Sequence, residues 1–569
     1  MRVGYFLLFV SVVLSGCESE QPPTVTADAP DKAMPFFVER AAETGLDFVH
    51  DPNVEGEHWF PEMVGSGAAL FDYDNDGDLD VYFIQSGPLQ PPRPPNRLFN
   101  NQLIPTGELR FVEIDGAGGL DDRGYGMGVA VGDLDNDGWR DVLVTNFGPN
   151  ALYRNNGDGT FSDITPDFEL SDSRWSTSAS LADLDHDGDL DIYVGNYVTF
   201  NPEKRVLCAD NDGRPDYCGP LTYVAQVDKV WRNEGALEFS DATSEWGFDT
   251  AFGNALGVTA ADFNLDGQTD VYVANDNLAN QLWIGKGGDR LEFENRALMA
   301  GAAFNSDGGV ESSMGVSAGD FDNDGDEDLF MTHLKPQTNT LYRNEGNGNF
   351  TDISDMSRLG AISIGYTGFG TAWFDVNHDG WLDLFSANGA VQIEPAQYGV
   401  VSYPYNQRNQ LFLNIDGRRF VEHHDDSAAM LANEVSRGAA FGDIDNDGDT
   451  DILVTNNNGP ARLLLNVHAD DKDWIRFTLT GTTSNRDAYG ARIALTRSGS
   501  PVYWRRVHTD GSYLCSNDPR VHFGMPPDAG LDGVLVRWPS GLVEQFPLGR
   551  SGNHYDLVEG TGNHVSDSP

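Results

Sequence analysis

The sequence predicts an all-β protein, a seven-bladed β-propeller followed by a small β-sandwich-like C-terminal domain. Three observations carry this expectation. An acidic nonapeptide, D-x-[DN]-x-D-G-x-x-D, occurs seven times with starts 61, 50, 79, 58, 55 and 68 residues apart, a β-type run follows each copy, and a second hairpin-like motif recurs between copies. Composition agrees: 569 residues that are 39% hydrophobic and 11% aromatic can build cores, and 64 glycines suit many tight turns. With 89 Asp plus Glu against 36 Lys plus Arg, the net charge of -53 excludes the basic footprint that nucleic-acid binding needs.

At the N-terminus, a lone Arg2, an apolar stretch from Tyr5 to Leu14 and the end Leu14-Ser15-Gly16-Cys17 make residues 1–17 a secretory signal. The small residues before Cys17 resemble a bacterial lipobox, in which that cysteine is lipidated and becomes the mature N-terminus. An ordinary cleaved signal with a coincidental cysteine is the alternative. Residues 18–35 are polar and proline-rich, as expected of a flexible tether between a membrane lipid and a folded body. Glu18 after the cysteine would favour outer-membrane sorting in a Gram-negative cell. Export implies an oxidising compartment, so Cys208 and Cys218, in the loop-like insert CADNDGRPDYC, are expected to form a disulfide, which leaves Cys515 over.

The seven acidic loops begin the folded part, taken as residues 36–468. Position 1 is Asp72, Asp133, Asp183, Asp262, Asp320, Asp375 and Asp443; position 3 is Asp74, Asp135, Asp185, Asn264, Asp322, Asn377 and Asp445. Position 5 is Asp76, Asp137, Asp187, Asp266, Asp324, Asp379 and Asp447, and position 9 is Asp80, Asp141, Asp191, Asp270, Asp328, Asp383 and Asp451. Position 7, occupied by Asp78, Trp139, Asp189, Gln268, Asp326, Trp381 and Asp449, would contribute its backbone carbonyl. Glycine at position 6 permits the sharp turn. These are hard oxygen ligands of the kind calcium takes, and up to seven Ca2+ ions are expected, one per loop. Without a cation, carboxylates about 4 Å apart repel by roughly 1 kcal/mol per pair in water and about 4 at an effective dielectric of 20. EF-hands and dockerins open with the same nonapeptide but continue into a helix; here β runs such as VYFI at Val81 and VLVT at Val142 follow.

The second motif, as in NALYRNNGDGTFSDIT at Asn150 and NTLYRNEGNGNFTDIS at Asn339, reads as a hairpin between an L-aromatic strand and an F-x-D/E strand. Two hairpins per repeat make the four strands of a propeller blade. Ala461 to Asn466 is an L-x-x-N strand lacking its F-x-D partner, and Phe36 to Glu39 is an F-x-E strand lacking the strand before it. Pairing them would complete the last blade from both ends and close the ring; a linear solenoid would leave both unpaired.

These loops resemble those of the FG-GAP repeats of integrin α-subunit propellers and the VCBS-type repeats of bacterial surface proteins. At the C-terminus, WIRFTLTGTTSNRDAYGARIAL from Trp474, GSYLCSNDPRVHFGM from Gly511 and GVLVRWPSGLVEQF from Gly533 resemble the ASPIC/UnbV domain. The combination is similar to the cartilage acidic protein family, and the CGP at Cys218 fits its bacterial members, here a lipoprotein. The resemblance implies architecture and calcium binding more than an activity.

Residues 470–560 alternate strands with glycine-, asparagine- and proline-containing turns. Trp538, in Arg537-Trp538-Pro539-Ser540-Gly541, is either a sugar-stacking surface residue or core. No H-E-x-x-H, G-x-S-x-G, P-loop or dinucleotide fingerprint occurs. His186 and His378 fill variable position 4 of two loops and are expected to face solvent. His50 and His58, near Glu55, Glu57 and Trp59, would line one mouth of the ring. The expected function is a calcium-binding, lipid-anchored envelope protein, at the outer membrane or cell surface, that binds a glycan or protein as adhesin or scaffold, without nucleic acid. The alternative is a polysaccharide lyase or hydrolase with its site at the propeller mouth.

Overall fold

The computed structural model describes residues 1, 35–167, 173–287, 291–424, 427–469, 472–526 and 530–565; the expected signal, Cys17 and nearly all of the tether lie outside them. Residues from Pro35 onward form one compact unit. Among the described residues no helix is long and apolar enough to cross a membrane.

Seven four-stranded antiparallel sheets follow one another along the chain. The first is Ala68–Phe71, Asp80–Phe83, Arg97–Asn101 and Phe111–Glu113, so the acidic nonapeptide joins strands one and two and the glycine turn joins three and four. First strands pack side by side in chain order: Ala68–Phe71 on Gly126–Gly132, then Ser176–Ala182, Ala255–Ala261, Ser313–Gly319, Gly368–Phe374 and Ser436–Gly442, which packs back on Ala68–Phe71. The last sheet is completed by Phe37–Glu39, with Phe37 opposite Asn466, Val38 opposite Leu465 and Glu39 opposite Leu464. Both half-hairpins are thereby paired, which a solenoid would not achieve.

Apolar faces of neighbouring blades bury against each other. Phe71, Tyr82 and Leu98 of the first blade meet Val131, Val142 and Val144 of the second. Between the second and third blades this core runs on without a break into the C-terminal sheets, where Leu181 and Leu190 share a cluster with Tyr489, Ile493 and Val536. Those sheets are Val521–Gly524, Trp474–Thr480 and Asn553–Val558 on one side, and Ser500–Arg506, Arg492–Arg497, Gly533–Arg537, Val543–Pro547 and Asn563–His564 on the other. Trp538 is buried and its Nε1 donates to Glu544 Oε2 at 2.8 Å, which makes it core.

The axis of the ring is filled by a loop of the C-terminal region. Ser516 N donates to Ala68 O (3.1 Å), Val129 N to Leu514 O (3.1 Å), Leu514 N to Ser178 Oγ (3.0 Å) and Gly511 N to Val258 O (3.2 Å). Ser512 N donates to Val316 O (2.7 Å), Thr371 N to Ser512 Oγ (3.2 Å) and Ser512 Oγ to Ala439 O (2.6 Å). Every blade therefore bonds the same short segment, and polar groups of the inner strands that would otherwise face an open channel find partners there. Cys515 is a buried free thiol in this plug, and burial pushes its pKa up to about 12. Glycine at the inner strands makes the approach possible: a Cβ on Gly67 would lie 1.7 Å from Leu514 O. Gly67→Ala should therefore cost at least about 1–3 kcal/mol of stability, the range for overpacking a filled core. An unchanged urea midpoint would contradict the tight seating of the plug.

Candidate metal centres

Local geometry explains the nonapeptide. The residue at position 4 is left-handed in all seven loops, with φ of 56° at Asn75, 56° at Asn136, 60° at His186, 58° at Leu265, 58° at Asn323, 54° at His378 and 56° at Asn446. Asn, which tolerates that conformation best among non-glycine residues, fills four of the seven. Glycine at position 6 also has positive φ, from 89° at Gly267 and Gly380 to 102° at Gly448. The position 1 carboxylate accepts from this glycine's N–H in every loop, at 2.7 Å in Asp133 to 3.2 Å in Asp183. The position 9 carboxylate spans the loop: Oδ2 accepts from the N–H of position 2, as in Asp191 from Leu184 at 2.9 Å, and Oδ1 from the third strand, as in Asp383 from Asn414 at 2.7 Å.

The remaining oxygens converge. Carboxylate oxygens of positions 1, 3 and 9 lie within 4.8 Å of one another in Asp72/Asp74/Asp80, Asp133/Asp135/Asp141, Asp183/Asp185/Asp191, Asp320/Asp322/Asp328 and Asp443/Asp445/Asp451. Asp74, Asp183, Asp185, Asp322, Asp443 and Asp445 each keep a buried Oδ1 without a protein partner. An all-oxygen, multiply acidic donor set with unused buried oxygens matches what calcium requires, so the residues fit the ion. In the two asparagine loops, Asn264 Oδ1 and Asn377 Oδ1 each accept from the N–H of position 5 at 3.0 Å. Position 5 aspartates lie beside the triads: Asp187 and Asp447 come within hydrogen-bonding reach of Asp185 and Asp445, and Asp187 Oδ1 accepts from Asp189 N at 3.0 Å. Burial pushes the metal-free carboxyls up: Asp133, Asp183 and Asp375 to about 7, Asp320 and Asp141 to about 8, and Asp328 and Asp383 well above the ordinary range.

Two devices that the sequence pattern does not reveal tie neighbouring loops together, except the third to the fourth. The first is position 4: Asn75 Nδ2 donates to Gly138 O (3.0 Å), Asn136 Nδ2 to Gly188 O (3.2 Å), Asn323 Nδ2 to Gly380 O (3.3 Å) and Asn446 Nδ2 to Gly77 O (3.2 Å). His378 does not face solvent as expected; it is 1% exposed, its Nε2 lies 3.4 Å from Asp449 Oδ1 of the next loop, and its ring packs 4.7 Å from that of His522. His186 is half-buried, with Nδ1 3.3 Å from Pro539 O. The second device is the asparagine of the L-x-x-N strand. Asn155 Nδ2 donates to Tyr73 O (2.9 Å), Asn233 to Leu134 O (2.8 Å), Asn344 to Phe263 O (2.8 Å), Asn414 to Phe321 O (2.9 Å) and Asn466 to Val376 O (3.0 Å), each reaching back to the preceding loop. Gly285 stands at this place in the fourth blade and makes no such bond. The recurrence of N in L-x-x-N was the available signal.

The C-terminal sheets cover this loop face with arginines. Arg476 pairs with Asp443, Arg486 Nε lies 3.8 Å from Asp133 Oδ2, and Arg520 Nη2 donates to Asp443 O at 2.7 Å. Arg492 donates to Gly325 O, and Lys472 Nζ to Asn377 O at 2.8 Å. Asp487 works in the other direction, accepting from Asp133 N (2.7 Å) and pairing with Arg140 (2.9 Å).

The opposite mouth is roofed by two inserts between second and third strands. Cys208 and Cys218 are joined as a disulfide in the first. Asp216 from this insert accepts from Ile393 N (2.9 Å) and Tyr405 OH (2.8 Å) of the second, and Arg214 lies 4.6 Å over the Tyr398 ring. His50 and His58 do not converge. His50 is buried with Nε2 3.0 Å from Ser86 Oγ, and burial pushes its pKa down to about 3. His58 sits 5.2 Å from the Tyr217 ring, Glu55 is exposed, and Glu57 and Trp59 engage Arg205. Glu62, which no sequence signal marked, accepts from Tyr217 OH at 3.0 Å, and burial raises it to about 7.

Residues 72–144, 133–194, 209–273, 262–331 and 320–386 match the FG-GAP-like repeat family, and residues 481–564 match the ASPIC and UnbV family. The chain is 24% identical over 512 residues to cartilage acidic protein 1 of Xenopus tropicalis, covering 85% of this chain and 71% of that protein. The human protein gives 24% over 511 residues, with 85% and 70% covered. Among solved structures, an Agrocybe aegerita lectin recognising non-reducing terminal N-acetylglucosamine aligns at 14% identity and TM-score 0.40, covering 71% of this chain and 95% of the lectin. An exotype rhamnogalacturonan lyase aligns at 11% and TM-score 0.26, covering 70% and 82%.

Two outcomes follow. Because the raised carboxyls bind more protons in the folded than in the unfolded chain between about pH 4 and about pH 8, metal-free protein should lose stability as pH rises through that window. Thermal midpoints of chelated, dialysed protein check this, and a midpoint that climbs toward pH 8 would contradict it. Asn414→Leu strands the buried carbonyls of Phe321 and Leu382, and should cost about 1–3 kcal/mol in denaturant unfolding.

Proposed function

The chain belongs to the cartilage acidic protein family, FG-GAP repeats followed by an ASPIC/UnbV domain, and on that premise we propose that it is an exported, calcium-binding propeller that presents a binding surface for an envelope glycan or protein. The observation that carries the calcium reading is the set of convergent carboxylates with unused buried oxygens. Bound calcium would supply the positive charge those oxygens lack, held by positions 1, 3, 5 and 9 and the carbonyl of position 7. The disulfide and the repeats are in keeping with an extracellular protein. A lipid on Cys17 would then hold the body at the envelope.

The C-terminal sheets cover the loop face and the plug fills the axis, which supports a reading in which the ligand binds the roofed face. Its inserts carry solvent-exposed apolar side chains: Leu207 is 77% exposed, Leu221 67%, Val224 69% and Val400 78%. Loops on a rigid scaffold with exposed apolar residues are where binding concentrates.

EGTA should lower the thermal midpoint, and calcium should restore it where magnesium, which demands a tighter octahedron, does not. A midpoint indifferent to EGTA would sink the calcium reading. A screen of calcium-loaded protein against envelope glycans and proteins, with a product assay alongside, tests the rest. Leu207→Ser with Val400→Ser should weaken any hit at least about tenfold, the factor corresponding to ~1.4 kcal/mol.

A further inference from the structure

Beneath the roof, on the axis above the plug, lies a partly open cavity of about 120 Å³. Tyr217, Cys218 and Pro220 of the disulfide insert roof it, and Tyr513 from the plug forms part of its wall. Leu256 and Met314 from inner strands add apolar surface. Into this apolar space opens one acid, Asp276, which is 8% exposed.

The partners of Asp276 are neutral donors: Tyr197 OH at 2.6 Å, Asn277 Nδ2 at 3.3 Å and the Ser312 hydroxyl. Among the described residues no Lys, Arg or His forms an ion pair with it. The buried cation of this region, Arg437, lies 4.1 Å from the ring centre of Phe369 and spends its N–H groups on Met63 O (2.8 Å), Gly389 O (3.0 Å), Ser436 O (2.9 Å) and Ala390 O (3.2 Å). A buried carboxylate without a counter-ion is costly and is relieved by protonation or by a cation. Tyrosine faces attract cations as well, and a chain of net charge -53 concentrates cations near its surface.

We propose that this cavity binds a small organic cation, an ammonium group on an apolar body, with Asp276 as counter-ion and Tyr197, Tyr217 and Tyr513 around it. A closed cavity of about 150 Å³ admits benzene, so this one, smaller at about 120 Å³ but partly open, would hold a body of roughly that size with one end reaching its mouth. The inference does not depend on what the outer surface of the roof binds.

The test is calorimetry on the calcium-loaded, disulfide-intact protein with benzylammonium, its neutral counterpart benzyl alcohol and the anion benzoate. Benzylammonium should bind at least about tenfold more tightly than benzyl alcohol, equivalent to ~1.4 kcal/mol, and benzoate should bind more weakly than either. Asp276→Asn should erase the preference while leaving benzyl alcohol affinity unchanged. Met314→Trp, which fills the cavity, should abolish both while thermal unfolding confirms the fold. Equal affinity for amine and alcohol, binding of neither, or benzylammonium binding that survives Met314→Trp would each overturn the proposal. The preference is read first in the unsubstituted protein, so a poorly folding Asp276→Asn variant does not remove the test.

Discussion

The arrangement of the whole molecule answers to one electrostatic constraint: clusters of buried carboxylates sit side by side around one face of the ring. Their mutual repulsion and desolvation oppose folding, and the raised pKa values of Asp133, Asp320 and Asp375 express that cost in the metal-free chain. Everything on that face works toward compensation. Backbone N–H groups from each loop point at positions 1 and 9, position 4 ties one loop to the next, and the C-terminal region brings Arg476, Arg486 and Arg520 over the carboxylates. The ASPIC/UnbV sheets are therefore part of the electrostatics of the repeats as well as their neighbours in the core.

The face opposite follows another logic. There the chain closes the axis with aromatic and disulfide-linked segments, and among its buried charged groups Arg437 and Asp276 are held in contrasting ways without an ion pair. Arg437 is solvated by main-chain carbonyls, the arrangement of lowest demand for a guanidinium without an acid. Asp276 has only neutral donors and a cavity in front of it. The contrast between a cation whose shell is complete and an anion whose shell is neutral is what separates a structural charge from one available to a ligand.

What was legible in the sequence was what repeats. The nonapeptide with its flanking β runs marked the blades, and the orphan strands at Phe36 and Ala461 marked the pairing that completes the last sheet. Local chemistry sufficed because each of those elements is decided within about ten residues. The rest depends on partners hundreds of residues apart. Nothing in GSYLCSND says that it will thread the axis, because the glycines that admit it, such as Gly67 and Gly438, belong to other blades. His378 was misread for the same reason: its neighbours in sequence are polar, but its neighbours in space are Asp449 and His522. The asparagines of L-x-x-N were visible as a pattern, yet their role requires knowing that the preceding loop presents a bare carbonyl beside them.

The plug also sets an order of events. A ring that bonds Gly511 to Ser516 from every blade cannot finish until the last quarter of the chain exists, and the edge of the final sheet stays open until Phe37–Glu39 meets Arg462–Asn466. Synthesised from the N-terminus, the strand Phe37–Glu39 emerges more than 400 residues before the partner it needs. Within a blade the pairings are local, but closing the ring and filling its axis join residues far apart in the chain, and a strand edge stays open throughout elongation. Truncation before residue 511 would remove the segment that every blade bonds, so the axis is locked only once residues 511–516 have been made.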